Sequence, residues 1–273
     1  MTSNDYNLVY LQKVWYINNM AKILYFDIET APNLSYVWGH YEQNVIDHER
    51  QWYILCFGYR WEHQKKTSVC SLIDYKDAYA KDPENDYHVV KKLWDLISEA
   101  DIVIAHNGDR FDMRKANARF IAHGLGPASP VKSVDTLKVA RRYFMFNSNK
   151  LNELGTYLGV GQKESTGGFE TWAGCMRGDI KAWKTMIKYA KQDVVLLRDV
   201  YLQLRPWMTN HPNLNVYDAV SDHSCPTCGS INLQRRGYKY TKVASYQQWQ
   251  CNDCRSWSRS RLANKIEKPT IVP

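Results

Sequence analysis

The sequence lacks any long hydrophobic run. No stretch of about 18 apolar residues occurs, so we expect no membrane-spanning helix and no membrane partner. The start also lacks the basic segment, apolar stretch and small-residue cleavage site of a secretory signal. Internal repeats and low-complexity tracts are missing as well. Together these absences predict a cytoplasmic globular protein.

Acidic residues are scarce in the last fifth of the chain. Residues 221–273 contain nine Lys and Arg against three Asp and Glu, which gives this segment +6 of the net charge of +8. Such an excess favours a polyanionic partner. Aromatic residues are plentiful, with 19 Tyr and 10 Trp. Most should lie in the core, but Trp38 and Tyr41, between the first two predicted strands, are candidates to stack on bases.

Apolar periodicity predicts the main secondary structure elements. Strands are expected at 23–28, 52–61, 67–74 and 101–105, and helices at 86–99 and 179–204. Three strands that look antiparallel precede alternating strands and helices. This order predicts an α/β fold, with a mixed β-sheet flanked by helices.

Carboxylates occur where a buried element should carry none. In "LYFDIET" the alternation of an extended chain puts Asp27 and Glu29 on the same face. Asp193 lies within the apolar stripe of the long helix. In "AHNGDRFDMR" we expect Asp109 to cap the next helix, which leaves Asp112 free to bind near its N-terminus. Neighbouring like charges repel, so these acids call for a cation between them.

Three short motifs carry a resemblance to a known family. "FDIET", "HNGDRFD" and "YAKQD" resemble the three exonuclease motifs of the DEDD superfamily of 3′–5′ exonucleases, which have a ribonuclease-H-like fold. Tyr189, four residues before Asp193, resembles the DEDDy branch, because the sister branch has a histidine where this chain has Lys188. The resemblance spans roughly residues 22–205. It implies a 3′–5′ exonuclease that hydrolyses phosphodiester bonds, with DNA that has a free 3′ end as the favoured substrate.

The resemblance also implies a set of site residues. Asp27, Glu29, Asp112 and Asp193 would hold two Mg²⁺ or Mn²⁺ ions, which prefer oxygen ligands. Two such ions stabilise the attacking and leaving oxygens of a displacement at phosphorus. Tyr189 would orient the attacking water, because a tyrosine of ordinary pKa is a poor base at neutral pH.

Other readings of the same residues stay open. Asn107 and Phe111, beside the second motif, either contact the terminal nucleotide or hold the turn and fill the core. A ribonuclease or a structure-selective endonuclease is an alternative on the same fold. A protein that binds or recruits nucleic acid without significant catalysis is a further alternative.

The seven cysteines fall into two groups. Cys56, Cys70 and Cys175 are isolated and should be reduced, buried small hydrophobic residues. The others form two Cys-x-x-Cys pairs, a spacing typical of a tetrahedral structural zinc site in a zinc ribbon. Disulfides are disfavoured in a cytosolic chain. The predicted Zn²⁺ ligands are Cys225, Cys228, Cys251 and Cys254.

The segment between the cysteine pairs should be two short strands joined by a Gly turn. It mixes Arg and Lys with Tyr and Trp, a composition that suits phosphate contacts and base stacking. Arg235 and Arg236 are candidate nucleic-acid contacts, and a protein partner is the alternative. The predicted organisation is an extension (1–19), a ribonuclease-H-like domain (20–207), a linker (208–220) and the ribbon (221–273).

Overall fold

A computed structural model describes residues 21–41, 44–217 and 223–264. The predicted extension, residues 1–19, lies outside the described residues, as do residues 218–220 of the predicted linker. Packing of the chain separates a first unit, Lys22–Tyr201, from a second unit that contains the chain from Leu202 onward. Within the described ranges, every helix is too short or too polar to cross a membrane.

Strands and helices follow each other along the first unit. The strands are β1 (Ile23–Thr30), β2 (Leu34–Tyr36), β3 (Asp47–Arg50), β4 (Ile54–Trp61), β5 (Ser68–Ser71), β6 (Ile102–Ala105) and β7 (Lys132–Asp135). The helices are α1 (Lys76–Lys81), α2 (Tyr87–Glu99), α3 (Asp112–Ala122), α4 (Thr136–Tyr143), α5 (Leu151–Tyr157), α6 (Phe169–Met176) and α7 (Ile180–Leu204), which ends just inside the second unit.

A five-stranded sheet forms the centre of the first unit, in the order β5-β4-β1-β6-β7. Strands β5, β4 and β1 pair antiparallel, and β1, β6 and β7 pair parallel. This confirms the predicted α/β fold with a mixed sheet. The strand predicted at 67–74 is shorter, because Ser71 donates from its backbone and hydroxyl to the Asp74 carboxylate, at 2.7 and 2.9 Å, which starts a 3₁₀ turn at Leu72.

Both faces of β1 are covered by other elements. Leu24 and Phe26 are fully buried and belong to the same apolar cluster as Leu93 of α2. On the opposite face, the ring of Tyr25 packs 5.7 Å from the ring of Tyr201 of α7. Helix α7 therefore lies over the face of β1 that bears Asp27 and Glu29.

Gly58 lets α7 approach the sheet closely. It stands opposite Asp27 in the antiparallel pairing of β1 with β4. A Cβ atom on Gly58 would lie 2.4 Å from the carbonyl oxygen of Ala190 and 2.8 Å from Cγ2 of Val194. No side chain fits in that space, so the helix rests directly on the backbone of β4.

Two features of the first unit have no counterpart in the sequence prediction. Strands β2 and β3 pair as an antiparallel hairpin, and β7 extends the sheet beyond β6. The connection between β2 and β3 carries Trp38 and Tyr41, whose exposed fractions are 91% and 94%. All three strands are short and mostly polar, so they lack the apolar period by which a strand is predicted.

The second unit contains a small antiparallel sheet in the order β10-β9-β8. Its strands are β8 (Leu233–Tyr240), β9 (Ser245–Cys251) and β10 (Trp257–Arg259). The predicted Gly turn is wrong, since Gly237 lies inside β8 at φ 71°, where the pairing with β9 shifts by one residue. The turn is made instead at Thr241, whose N–H donates to the carbonyl of Ala244 at 2.8 Å.

Candidate functional site

Three carboxylates from distant parts of the chain meet above the sheet. Asp27 and Glu29 come from β1 and Asp193 from α7, and each offers an oxygen that lies within 4.8 Å of the other two. The pleat of β1 turns its two acids to the same face. The close approach at Gly58 brings Asp193 down onto them.

Asp112 lies beside this group and has a contact of its own. Its Oδ1 accepts the backbone N–H of Ile28 at 3.0 Å. The parallel pairing of β1 with β6 extends only to Tyr25, so this N–H has no strand partner. The structure thus holds Asp112 against β1, where the charge of Asp27 acts on it. Asp112 is not part of the group formed by the other three carboxylates.

The expected role of Asp109 as a helix cap is wrong. Helix α3 begins at Asp112, with Phe111 as its N-cap residue. Asn107 adopts φ 67°, and its carbonyl accepts the N–H groups of Arg110 and Phe111, which inserts a turn ahead of the helix. Asp109 instead accepts a hydrogen bond from Lys138 Nζ at 2.6 Å.

Burial and mutual repulsion disfavour the charged forms of the acids. Burial, followed by the charge of Asp193, raises the pKa of Asp27 to about 7. Burial, with Asp27 and Asp193, raises the pKa of Glu29 to about 9. Burial and Asp27 also raise the pKa of Asp112 well above its ordinary value. A bound cation would reverse this repulsion.

One buried oxygen of the group has no partner in the part of the chain that the structure describes. Asp193 Oδ1 is buried and accepts no hydrogen bond from the described residues. A buried carboxylate oxygen that lacks a partner is costly. The donor atoms are all carboxylate oxygens, which are the ligands that Mg²⁺ and Mn²⁺ prefer. The residues present therefore fit a divalent metal site.

Lys163 is the functional candidate that the sequence did not reveal. Its ammonium group forms an ion pair with Asp193 Oδ2 and lies 2.9 Å from the hydroxyl of Tyr189. Burial lowers the pKa of Lys163, but Asp193 and Asp27 outweigh that effect and hold it above the ordinary value. Lys163 lies in the connection between α5 and α6, and a single lysine in a loop gives no pattern to recognise.

Tyr189 lies one turn before Asp193 on α7. Burial and the charge of Asp193 raise the pKa of Tyr189 above its ordinary value. The hydroxyl therefore stays protonated at neutral pH, and it accepts a hydrogen bond from Lys163 Nζ at 2.9 Å. Its ring packs edge-on against Trp172 at 6.0 Å. A fixed, protonated hydroxyl suits positioning rather than proton abstraction.

The two residues that flank the second motif lie in the turn before α3. Asn107 donates its backbone N–H to Asp135 Oδ1 at 2.9 Å. Phe111 is 39% exposed. Asp135 also accepts the N–H groups of Leu137 and Lys138 at 3.0 and 3.3 Å, which makes it the N-cap of α4.

The four paired cysteines converge in the second unit. The Sγ atoms of Cys225 and Cys254 are 3.6 Å apart, and those of Cys228 and Cys251 are 3.7 Å apart. A disulfide would need about 2.05 Å. Tetrahedral zinc with Zn–S bonds of about 2.3 Å places its sulfurs about 3.8 Å apart. The cluster therefore fits a four-thiolate zinc site.

The other three cysteines are buried in the first unit, as expected. Burial raises the pKa of Cys56 well above its ordinary value. It likewise raises the pKa of Cys70 to about 11 and that of Cys175 to about 12. Thiols in this state are unreactive and pack as apolar groups.

The chain was compared with solved structures, curated proteins and protein-family models, and the family model identifies its family. A structural comparison finds the family B DNA polymerase of the hyperthermophilic archaeon Pyrobaculum calidifontis at 14% identity and a TM-score of 0.49. The similarity covers 83% of this chain and 32% of the polymerase chain, so this chain spans about a third of the polymerase. No curated protein matches in sequence. The RNase_H_2 family model matches residues 24–205, more than half of the sequence, and the chain therefore belongs to the RNase H superfamily.

Proposed function

We propose that the protein is a metal-dependent 3′–5′ exonuclease of the DEDDy type that hydrolyses phosphodiester bonds, with DNA as the favoured substrate. The observation that carries this proposal is the meeting of the Asp27, Glu29 and Asp193 carboxylates, in which Asp193 Oδ1 is buried and has no hydrogen-bond partner among the described residues. Membership of the RNase H superfamily favours a nuclease.

The four acids would form two sets of metal ligands that share Asp27. Asp27, Glu29 and Asp193 would hold one Mg²⁺ or Mn²⁺, and Asp27 with Asp112 would hold a second. Metal ions bound there supply Lewis-acid stabilisation of the oxygens that attack and leave phosphorus. The contact of Asp112 with Ile28 supports its role, because it fixes the carboxylate beside β1.

Tyr189 and Lys163 form the polar side of the proposed site. The protonated hydroxyl of Tyr189 orients the attacking water by donating or accepting a hydrogen bond. The ammonium group of Lys163, 2.9 Å from that hydroxyl, fixes its direction. Lys163 also neutralises part of the negative charge around Asp193.

Residues of the second motif and of the β2–β3 connection provide candidate substrate contacts. Phe111 precedes Asp112 directly, so its partly exposed ring is available to stack on the terminal base. Asn107 holds the turn through its backbone and leaves its side chain as a candidate for a contact with the same nucleotide. Trp38 and Tyr41 are further stacking candidates because they are almost fully exposed.

The second unit completes the proposal as a zinc ribbon. Cys225, Cys228, Cys251 and Cys254 would bind one structural Zn²⁺, and the module would grip nucleic acid or a protein partner. In this arrangement a ribonuclease-H-like domain (20–207) is joined by a linker (208–220) to the ribbon (221–273). The proposed location is the cytoplasm.

Labelled single- and double-stranded oligonucleotides of DNA and RNA test this function. Incubated with Mg²⁺ or Mn²⁺, a 5′-labelled strand should shorten progressively from its 3′ end. Asp193→Asn should abolish product formation. Asp199→Asn should remain active, because Asp199 lies on the same helix but pairs with Arg198 at 3.6 Å.

Other product patterns would contradict the proposal. Internal cuts would favour the structure-selective endonuclease. Degradation of RNA alone would favour the ribonuclease. Binding without products in the presence of metal would favour the recruiting protein.

A further inference from the structure

The small sheet of the second unit sorts its side chains by face. Along β9, Cys251 and Trp249 point to the face that carries the cysteine cluster, and Gln250, Gln248 and Tyr246 alternate to the other. Cross-strand partners share a face, so Trp257, which pairs with Gln250, also lies on the face away from the cysteines. The sheet therefore has a cysteine side and an outer side.

The register shift at Gly237 places Lys239 on the outer side, together with Arg236. Arg236 is on this side, since its Nε donates to Gln250 Oε1 at 3.3 Å. Strict alternation would turn Lys239 to the cysteine side. The extra residue at Gly237 shifts the register, so that Lys239 pairs with Tyr246 and returns to the outer side.

The outer face is thus defined by Arg236, Lys239, Tyr246, Gln250, Trp257 and Arg259. Among the described residues, this face carries three cations and no acid. In the described parts of the second unit, residues 202–217 and 223–264, eight Lys and Arg stand against a single acid, Asp253. Asp253 lies between Cys251 and Cys254, where it accepts hydrogen bonds from Ser230 at 2.5 Å and Asn232 at 3.0 Å.

Contacts within the outer face hold its groups in place. The guanidinium of Arg259 lies over the ring of Tyr246, 4.0 Å from the centroid. The side chain of Trp257 is 51% exposed although it stands in a strand. Arg235 shows the contrast, because it turns to the cysteine side and bonds Gln247 and the hydroxyl of Tyr238. Arg235 and Arg236, although adjacent in sequence, therefore lie on opposite faces of the small sheet.

We infer that the outer face binds single-stranded DNA, with Trp257 stacking on a base while Arg236, Lys239 and Arg259 contact phosphates. Three cations without an acid match the charge of a phosphate backbone. The exposed indole of Trp257 offers a stacking surface to an unpaired base, whereas the bases of a duplex are already stacked on one another. The choice of DNA rests on the proposed function, whereas the single-stranded form follows from the face itself.

Binding of fluorescein-labelled DNA, followed by fluorescence anisotropy, tests the inference. The full chain carries Asp27→Asn and is loaded with zinc, without Mg²⁺ or Mn²⁺, so that no strand is cut. Trp257→Ala should weaken binding to a single strand by at least about fivefold, the loss expected for one base stack. Tyr240→Ala is the matched control, because Tyr240 is 72% exposed but lies on the cysteine side.

The charge contribution is read from the salt dependence. We combine Arg236→Gln, Lys239→Gln and Arg259→Gln in one triple variant. The slope of log K against log salt is negative, and it should become shallower by about two in this variant, because each lost phosphate contact with a single strand accounts for about 0.7. Arg255→Gln, directly after Cys254 and outside the six residues that define the outer face, should leave the slope unchanged. A zinc content of one per chain in every variant shows that the module remains folded.

Several outcomes would overturn the inference. These are wild-type affinity in Trp257→Ala, an unchanged salt slope in the triple variant, or equal affinity for duplex and single strand. Tighter binding of single-stranded RNA would overturn the choice of DNA. Failure of the nuclease proposal is separate, since a chain that binds through this face but never cleaves would refute the activity alone.

Discussion

Replacing Gly58 with alanine should separate the acids of the candidate site. The new Cβ would lie 2.4 Å from the carbonyl oxygen of Ala190, about 1 Å closer than an ordinary contact, so α7 must move away from the sheet by roughly that amount. Asp193 moves with its helix, whereas Asp27 and Glu29 stay on β1. Metal ligands tolerate errors of about 0.2 Å, and a misplacement of 1 Å costs about 100-fold in rate.

The expected results are a Mn²⁺ affinity reduced by at least about tenfold and a rate reduced about 100-fold. The free energy of unfolding should fall by about 1–3 kcal/mol, as for other overpacked cores. Titration calorimetry, an oligonucleotide assay and thermal unfolding measure these quantities. Gly126→Ala is the matched control, since nothing lies within 4 Å of its added Cβ.

A second substitution sharpens the test. Val194→Ala removes the methyl group that lies 2.8 Å from the new Cβ, but the backbone oxygen of Ala190 remains in place. The double variant should therefore recover little activity. Wild-type metal affinity and rate in Gly58→Ala would refute the argument that close packing at Gly58 positions Asp193.

Four further predictions concern the same two sites. Tyr189→Phe should slow turnover about 10- to 100-fold without changing Mn²⁺ affinity, because the hydroxyl positions water and binds no metal; an unchanged rate would remove this role. Lys163→Met should raise the Mn²⁺ affinity measured by calorimetry, because the ammonium group of Lys163 competes with the metal for Asp193, and it should lower turnover. Weaker metal binding would contradict this competition. Mn²⁺ affinity should rise with pH between about 7 and about 9, the raised pKa values of Asp27 and Glu29. Below this range both carboxyl groups are protonated, and the metal must displace those protons to bind. A flat profile would argue against these ligands. Native mass spectrometry should find one zinc per chain, and chelation should unfold the second unit, as lost circular dichroism would show; a folded, zinc-free unit would refute the ribbon.

Periodicity made the long elements predictable. The apolar stripe of α7 is regular over its whole length, so its bounds and the misplaced Asp193 are visible in the sequence. Alternation in β1 likewise shows that Asp27 and Glu29 share a face. These features depend on local repeats of side-chain type, which the sequence displays directly.

Features that depend on long-range contact were not predictable. Lys163 reaches Asp193 across 30 positions, and no local pattern marks it. Gly58 matters only because α7 packs on it. The start of α3 was misplaced because the left-handed conformation of Asn107 adds a turn that residue preferences alone do not reveal. A glycine between two strand patterns predicts a turn, whereas the pairing with β9 places Gly237 inside β8.

The distribution of cysteines makes thiol labelling a reporter for each unit separately. Cys56, Cys70 and Cys175 are buried within the first unit, so a thiol reagent reaches them only when that unit opens. The four cysteines of the second unit would be protected by a bound zinc and released together on its loss. The number of labels gained, three or four, therefore tells which unit has opened.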